Sequence, residues 1–360
     1  MVDLILDEIR VKAHDRSYSI YFFEELSSII KRLDLYKDNC YFIVDEKFNK
    51  LNKFDSYIKN DNLIFVKSSE NIKNLEFAKE LILNLKNKKI NRNSKIIVIG
   101  GGTLQDVSQF VSSILYRGVE FIFVPTTLQA LTDSCIGGKT SLNLDFYKNQ
   151  LGTFYSPYEV LQYAGFINTL DIVELKGGYA ELIKLLIIGG YKDFEQFYKL
   201  LIQDIYDLDN LKKHIYQALN IKKKYIEKDE FDFGIRKILN YGHTFAHAIE
   251  TTVENKITHG NATALGMNIA NYYSYKKGLV SKKFFKLHFN FSYQFYEFEE
   301  IKSFKSISGK VIVEKFIHDK KMKSNGNIDL ILPISTKIQI KEVEINSELE
   351  NIIDEFLNLL

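Results

Sequence analysis

Short runs of β-branched and aromatic residues alternate with helical patterns along the first half of the chain. The runs at 40–46, 62–67, 95–102 and 119–126 predict strands. Between them, the segment 71–85 has apolar residues spaced three and four apart, which is typical of an amphipathic helix. Strands that alternate with helices predict a parallel sheet with crossover helices.

After about residue 165 the pattern becomes almost wholly helical. Helices are predicted at 171–200, 205–227, 237–254 and 261–277, with short strands at 328–333 and 337–343. We therefore predict an α/β plus all-α protein, with a Rossmann-like parallel-sheet domain over 1–165 and a helical domain over 166–360. In such a pair the ligand site is expected in the interdomain cleft, at the carboxyl ends of the strands.

Composition narrows the class of protein. The 360 residues include 48 basic and 46 acidic side chains, and a net charge of +2 argues against a dedicated nucleic-acid or membrane-surface protein. Two cysteines, Cys40 and Cys135, fit a reducing compartment. The first 15 residues lack the basic start and apolar run of a signal peptide, and no segment has the length of a membrane helix. We expect a cytoplasmic globular protein.

A glycine-rich segment follows the predicted strand at 95–102. Gly100, Gly101 and Gly102 precede Thr103 at the start of a helical pattern. Glycines let the backbone approach a pyrophosphate closely, and a helix N-terminus offers free N–H groups. The segment is not the G-x-G-x-x-G motif, so a tight strand-to-helix turn remains the alternative interpretation.

Polar loops follow the next predicted strand. Thr126 and Thr127 end it and are either ligands at the sheet edge or helix caps. The Gly-Gly-Lys-Thr segment at 137–140 resembles the end of a P-loop, but the earlier glycine is absent and we exclude an ATPase. Lys139 and Lys148 remain candidates for binding an anion.

Three of the seven histidines lie between 243 and 259. His243 and His247 are four residues apart in a helical pattern, and His259 follows in a Thr-His-Gly turn. Together with Glu181, these imidazoles are the ligand types that a divalent metal prefers. The His-x-x-x-His spacing alone does not separate ligands from solvated or structural histidines. Thr244 stands where a zincin has glutamate, so that motif is absent.

Several motifs occur in order across most of the chain. They are GGGTLQDV, YRGVEFIFVPTTL, DSCIGGKTSLN, YKNQLGTFYSP, GGYAELIK, RKILNYGHTFAHAIE, HGNATALGM and HDKK. Together they resemble the 3-dehydroquinate synthase family of sugar phosphate cyclases. The resemblance implies the dehydroquinate synthase fold, with NAD bound by the α/β domain and Zn²⁺ or Co²⁺ bound by the helical domain.

The resemblance also implies roles for individual residues. The metal ligands would be Glu181, His243 and His259, whereas His247 matches a residue of the substrate's phosphate site. The cofactor positions match Asp45, Glu70, Lys73, Gly101, Gly102, Thr103, Asp106, Thr126, Thr127, Leu128, Asp133, Ser134 and Lys148. The substrate positions match Arg117, Lys139, Lys148, Asn149, Lys222, Arg236, Asn240, His247 and Lys320, or its neighbour Lys321. The implied catalytic set is Asp133, Lys139, Lys184, Lys222, Arg236, Asn240 and His247. The family's equivalent of Arg117 reaches into the neighbouring subunit's site, which implies a homodimer.

The implied substrate is 3-deoxy-arabino-heptulosonate 7-phosphate, a phosphorylated sugar acid. The metal would polarise a hydroxyl while NAD⁺ takes a hydride, which acidifies the neighbouring C–H and lets phosphate leave. Return of the hydride, ring opening and an intramolecular aldol closure would give 3-dehydroquinate. The enzyme would be a carbon–oxygen lyase of the shikimate pathway, serving aromatic amino acid biosynthesis.

Two departures from the family pattern leave alternatives open. Gln105 stands where the family usually has glycine, and Asn261 replaces the usual glutamate after His259-Gly260. A cyclase that makes another cyclitol, for a surface polysaccharide or secondary metabolism, is the first alternative, although Lys222 and Arg236 match the pair that binds a carboxylate. A metal-dependent polyol dehydrogenase of similar fold and a relative without turnover are the others.

Overall fold

The computed structural model describes residues 5–48, 60–145, 147–190, 195, 197–199, 207–253, 257–317 and 326–360. The chain forms two compact units, Met1–Leu170 with Leu208–Phe231, and Asp171–Asp207 with Asp232–Leu360. The chain thus returns to the first unit after entering the second. The assignment of NAD binding to one domain and of metal binding to the other stays a prediction.

A seven-stranded sheet forms the centre of the first unit. Its strands are β1 (Ile5–Val11), β2 (Tyr18–Phe23), β3 (Cys40–Asp45), β4 (Leu63–Val66), β5 (Lys95–Gly100), β6 (Glu120–Pro125) and β9 (Glu159–Gln162). Their spatial order is β1-β2-β9-β6-β5-β3-β4. All neighbouring pairs are parallel except β1 with β2. The chain runs outward from β3 to β4 and then crosses to β5, so the order reverses between β3 and β5. Ligands of open α/β sheets bind at such a switch point.

The central strands are buried on both faces. Ile97 and Ile99 of β5 point to one side and Ile96 and Val98 to the other, and all four are fully buried. An uninterrupted apolar run is therefore what a central parallel strand requires.

The described part of the first unit also contains four α-helices and one hairpin. They are α1 (Leu26–Leu33), α2 (Leu75–Asn87), α3 (Gly102–Ile114), α5 (Leu208–Ile226) and the hairpin of β7 (Leu142–Leu144) with β8 (Tyr147–Leu151). The sequence pattern placed α5 after the domain boundary. It groups with the first unit because it packs against the helical turns Ala130–Ser134 and Ala164–Thr169.

The second unit is mainly helical. Its elements are α4 (Ile172–Gly189), α6 (His243–Thr252), α7 (His259–Lys276), α8 (Lys282–Tyr293), α9 (Phe298–Lys305), α10 (Gly309–Ile317), α11 (Ser347–Leu357) and the hairpin of β10 (Asn327–Ile334) with β11 (Lys337–Glu344). Helix α7 is central, because α4, α6, α8, α11 and β10 all pack against it. It is accordingly buried around most of its circumference.

The structure confirms the predicted fold class and the six predicted strands. The prediction missed β1, β2, β9 and the β7–β8 hairpin. β7 and β9 are short, β1 lies at the edge of the sheet, and β2 mixes buried and partly buried residues. A single helix over 237–254 is wrong: a 3₁₀ turn at Ile235–Asn240 precedes α6. Gly242 separates them at φ +83°, a left-handed conformation that favours glycine. Among the described residues, every helix is too short or too polar to cross a lipid bilayer.

Candidate active site

Three helices of the second unit bring Glu181, His243 and His259 together. Glu181 lies in the middle of α4, whereas His243 and His259 are the first residues of α6 and α7. Gly177, one turn before Glu181, meets Gly260, the residue after His259: a Cβ built on Gly260 would lie 2.2 Å from Gly177 Cα. The close approach of α4 and α7 therefore depends on glycine at the crossing.

The distances fit a shared ion. Glu181, His243 and His259 each offer one ligand atom, and these atoms lie within 4.8 Å of one another. Glu181 Oε1 is 3.4 Å from His259 Nε2 and 3.9 Å from His243 Nε2. Among the described residues, no group forms a hydrogen bond of good geometry with this buried oxygen. A buried carboxylate oxygen facing two imidazole nitrogens is a fitting donor set for a divalent cation.

Protonation states favour ligation by two of the three groups. Burial raises the pKa of Glu181, but the Lys184 ammonium and the imidazoles outweigh it and hold this pKa well below its usual range. Burial and the Lys184 cation lower the pKa of His243 well below its ordinary value, so this ring is neutral. Burial opposes protonation of His259, yet the nearby Glu181 and Glu250 carboxylates prevail and raise its pKa to about 10. A metal ion must therefore displace a proton from His259.

Glu181, His243 and His259, called the triad below, are each held by a neighbouring group. Lys184 is only 2% exposed, and its Nζ lies 2.5 Å from Glu181 Oε2. His243 Nδ1 lies 3.3 Å from the carbonyl oxygen of Tyr241, and His259 Nδ1 lies 3.2 Å from Glu250 Oε1. Each imidazole thus faces an acceptor with Nδ1 and the Glu181 carboxylate with Nε2.

Further predicted residues lie in the same unit. The His247 ring centroid is 5.7 Å from that of His243 and 6.4 Å from that of His259. Arg236 is buried and Asn240 half-buried, and both belong to the 3₁₀ turn Ile235–Asn240 that leads into α6. The structure therefore places His247 beside the triad, and its predicted role in phosphate binding stays a prediction. Lys320 and Lys321 lie outside the described residues.

The glycine-rich loop of the first unit lies where the sheet reverses its order. Gly101 precedes α3 with no side-chain cap, so the first amides of this helix are not satisfied by a capping side chain. A Cβ on Gly101 would lie 2.8 Å from Thr127 Cγ2, and one on Gly102 would lie 3.3 Å from Ser134 Oγ. The glycines let two further loops approach the start of α3, and together these features fit a dinucleotide's pyrophosphate.

Thr126, Thr127 and Leu128 form one of those loops, after β6. Thr127 Oγ1 accepts a hydrogen bond from Ala130 N at 3.2 Å, as a helix cap would. Thr126 and Leu128 are fully buried. The predicted cap role of this loop is therefore observed at Thr127, whereas ligand binding by these three residues stays a prediction.

A polar network around the buried Lys73 connects other predicted cofactor and substrate positions. Lys73 Nζ lies 2.9 Å from Asp106 Oδ2 and donates a hydrogen bond of 2.8 Å to Asn149 Oδ1. Burial raises the pKa of Asp106, and the Lys73 cation opposes that rise. Glu70 accepts a hydrogen bond from Asn143 Nδ2 at 2.8 Å, so it also contacts the β7–β8 hairpin. Lys73 therefore joins α3 to this hairpin.

The remaining predicted residues of the first unit occupy varied positions. Asp45 ends β3 and accepts a hydrogen bond from Lys47 N at 3.1 Å. Lys222 Nζ lies 2.6 Å from Asp133 Oδ1 and donates to the Asp133 carbonyl at 2.6 Å. The predicted cations Lys139, Lys148 and Arg117 are solvent-exposed in this chain. Thr103 lies in the first turn of α3.

Comparisons with known proteins identify the family. A 3-dehydroquinate synthase N-terminal model matches residues 63–177, and a 3-dehydroquinate synthase C-terminal model matches residues 178–322. The 3-dehydroquinate synthase of Pelagibacter ubique is 34% identical over 360 residues, covering 95% of this chain and 97% of that protein. The chain belongs to the 3-dehydroquinate synthase family.

Solved structures show the same fold. A 2-epi-5-epi-valiolone synthase from Streptomyces hygroscopicus, with NAD⁺ and Zn²⁺ bound, superposes with a TM-score of 0.82 at 19% identity, covering 98% of this chain and 100% of that one. A 2-deoxy-scyllo-inosose synthase complexed with carbaglucose-6-phosphate, NAD⁺ and Co²⁺ gives a TM-score of 0.80 at 21% identity, covering 97% and 100%. The dehydroquinate synthase-like fold predicted from the motifs is confirmed.

The two departures from the family pattern are both accommodated by hydrogen bonds. Gln105 is 3% exposed, donates from Nε2 to the Ser134 carbonyl at 2.8 Å and accepts from Ser134 Oγ at 2.6 Å. Asn261 Nδ2 donates to both carboxylate oxygens of Glu300, at 3.0 and 2.9 Å. A glutamate at position 261 would instead face Glu300 with a like charge. Gln105 and Asn261 thus each have a hydrogen-bond partner that suits an amide side chain.

Sequence reasoning missed Glu250 and the Tyr241 carbonyl, which lie beside His259 and His243. A usable signal was present for Glu250, which follows His243 by seven residues and His247 by three in α6. These spacings place all three on one helix face. The carbonyl of Tyr241 carries no signal, because any residue supplies one.

Proposed function

We propose that this chain catalyses the 3-dehydroquinate synthase reaction, converting 3-deoxy-arabino-heptulosonate 7-phosphate to 3-dehydroquinate with release of phosphate. Membership of the family supports this activity. The observation that carries the proposal is the convergence of Glu181, His243 and His259 in the positions that the resemblance implied. The enzyme class that follows is a phosphate-eliminating carbon–oxygen lyase.

Glu181, His243 and His259 would hold the divalent metal, Zn²⁺ or Co²⁺. The carboxylate form of Glu181 and the neutral form of His243 are both favoured by their surroundings. Three protein ligands leave coordination positions for substrate oxygens. When bound, the ion polarises a substrate hydroxyl and NAD⁺ accepts and returns a hydride.

The start of α3 and its adjoining loops would bind NAD. Gly101 and Gly102 leave room for the pyrophosphate against the first amides of the helix, where the dipole favours an anion. Asp45 lies at the carboxyl end of β3, the strand next to β5 at the switch point. Its carboxylate suits hydrogen bonds from ribose hydroxyls.

The substrate's two anionic groups require several cations. Lys139, Lys148 and Arg236 would supply them, together with Lys222, whose ammonium is held by Asp133, and His247 would contact the phosphate. The role of Lys184 would be to keep the neighbouring Glu181 carboxylate ionised through the positive charge of its ammonium. These roles follow the family pattern, and they place positive charge next to the phosphate and the carboxylate of the substrate.

We also propose a cytoplasmic homodimer that serves the shikimate pathway. Exposure of Arg117 supports the dimer, because the residue is available to a second copy. Tyr116 and Arg117 have φ of +53° and +66°, so the backbone is strained at the turn that carries the exposed Arg117 side chain. Cys40 and Cys135 are buried and are not joined by a disulfide, as in proteins of reducing compartments.

The test is incubation of the purified protein with NAD⁺, Zn²⁺ and 3-deoxy-arabino-heptulosonate 7-phosphate. We expect stoichiometric phosphate release without net NADH, and 3-dehydroquinate as the product in the NMR spectrum. His259→Ala should lose turnover and tight metal binding while remaining folded. Phosphate release with a different cyclitol would contradict the substrate assignment, and steady NADH accumulation with a simple polyol would indicate a dehydrogenase.

A further inference from the structure

Glu250 is a buried carboxylate beside the triad that the proposed reaction does not use. It lies in α6, one helix away from His259, and is 3% exposed. Its Oε1 is 3.2 Å from His259 Nδ1, while His259 Nε2 is 3.4 Å from Glu181 Oε1. The imidazole therefore lies between two buried carboxylates, one on each ring nitrogen.

We propose that Glu250 is a positioning residue that fixes the tautomer and orientation of His259, so that Nε2 faces the metal. The inference rests on the metal site of the proposed function. A neutral imidazole carries its proton on one nitrogen only, and a carboxylate at Nδ1 keeps that proton there. The lone pair of Nε2 is then directed at the position between Glu181 and His243. A carboxylate on the distal nitrogen also makes the ring a stronger donor to a metal ion.

His259 needs such a partner more than His243 does. The side chain of His243 is 13% exposed, and the Tyr241 carbonyl of the same loop lies at its Nδ1. The side chain of His259 is 37% exposed and begins a helix, so packing restrains it less. A contact from a second helix, α6, supplies the missing restraint on ring rotation.

Two substitutions of Glu250 separate charge from contact. Glu250→Gln keeps the size and one acceptor oxygen but removes the negative charge. Glu250→Ala removes the charge and the contact with His259 together. We expect Zn²⁺ affinity to fall about 10- to 100-fold in Glu250→Ala, the range seen for outer partners of ligand histidines. The fall in Glu250→Gln should be smaller, because an amide oxygen still accepts from Nδ1–H.

Ile249→Val is the matched control on the same helix. Ile249 is fully buried next to Glu250 in sequence, so its truncation loosens packing without changing the group that faces His259. All variants are compared as full-length apoprotein by thermal unfolding and by chelator competition with Zn²⁺ alone, without NAD or substrate. Histidine ¹⁵N shifts of the Zn²⁺-loaded proteins report which His259 nitrogen carries the proton.

We expect weakened Zn²⁺ binding in both Glu250 variants, with Ile249→Val binding as the unmodified chain does. We also expect His259 to lose its fixed Nδ1–H signal in Glu250→Ala. Unchanged affinity and shifts in folded Glu250→Gln and Glu250→Ala would overturn it, as would an equal loss in Ile249→Val. Failure of the unmodified chain to bind Zn²⁺ would instead refute the metal site of the proposed function.

Discussion

The crossing of α4 and α7 makes Gly260 a sensitive position. Gly260→Ala adds a methyl group whose carbon would lie 2.2 Å from Gly177 Cα and 2.5 Å from the Gly177 carbonyl oxygen. Ordinary contact begins near 3.4 Å, and both obstructing atoms are backbone, so no side chain can rotate away. We expect the two helices to separate by about 1 Å at this point.

The consequence for the triad follows from its geometry. Glu181 is one turn after Gly177 on α4, and His259 directly precedes Gly260 on α7, so the separation carries these ligands apart. Metal–ligand distances tolerate only about 0.2 Å of error, and Zn²⁺ affinity should therefore fall at least tenfold. Overpacking of this kind costs ~1–3 kcal/mol, against a gain of up to ~1 kcal/mol from replacing a helical glycine by alanine. Unfolding in urea should report a net loss of up to ~2 kcal/mol in the free energy of unfolding when the full gain is realised.

Gly177→Ala is the control at the same crossing. A Cβ on Gly177 would lie 3.8 Å from Gly260 Cα, an ordinary contact. This variant should bind Zn²⁺ normally and gain up to ~1 kcal/mol of stability, because alanine is the better helix former. Equal behaviour of the two variants, in either direction, would refute the idea that this crossing spaces the ligands.

Three further outcomes are expected. Gln105→Gly should weaken NAD binding in a fluorescence titration, since Ser134 loses the side chain that holds both its hydroxyl and its carbonyl. Unchanged affinity would exclude a role of Gln105 in shaping the NAD site. Lys222→Met should lower the free energy of unfolding in urea by ~1–3 kcal/mol, because the largely desolvated Asp133 carboxylate loses its cation. An unchanged urea midpoint would contradict this loss of stability. Burial raises the pKa of Cys135 to about 12. The thiol therefore stays protonated at about pH 9, where a free cysteine is largely thiolate. Peptide mapping should find Cys135 alkylated by iodoacetamide only in denaturant, and rapid alkylation of the native protein would count against its burial.

Local patterns in the sequence determined much of the fold. The apolar run Ile96–Ile99 is uninterrupted because a central parallel strand is covered on both faces, and this predicts a buried strand without further information. The edge strand β1 and the only partly buried strand β2 carry a weaker signal, so both escaped prediction. The position of α5 was also beyond reach, because which unit a helix packs against depends on surfaces distant in the sequence.

For the site, the sequence by itself determined the types of donor, and the ordered motifs predicted their roles. Spacing alone favoured His247 equally with His243, since both lie on one face of α6. Only the tertiary structure decided which candidate ligands come together: α4 and α7 meet at Gly177 and Gly260, which brings Glu181 to His259. Only packing revealed Glu250 behind His259 and Ser134 beside Gln105. Side-chain periodicity records the neighbours of a residue along its own helix or strand, whereas contacts between elements depend on how their surfaces fit when the chain folds.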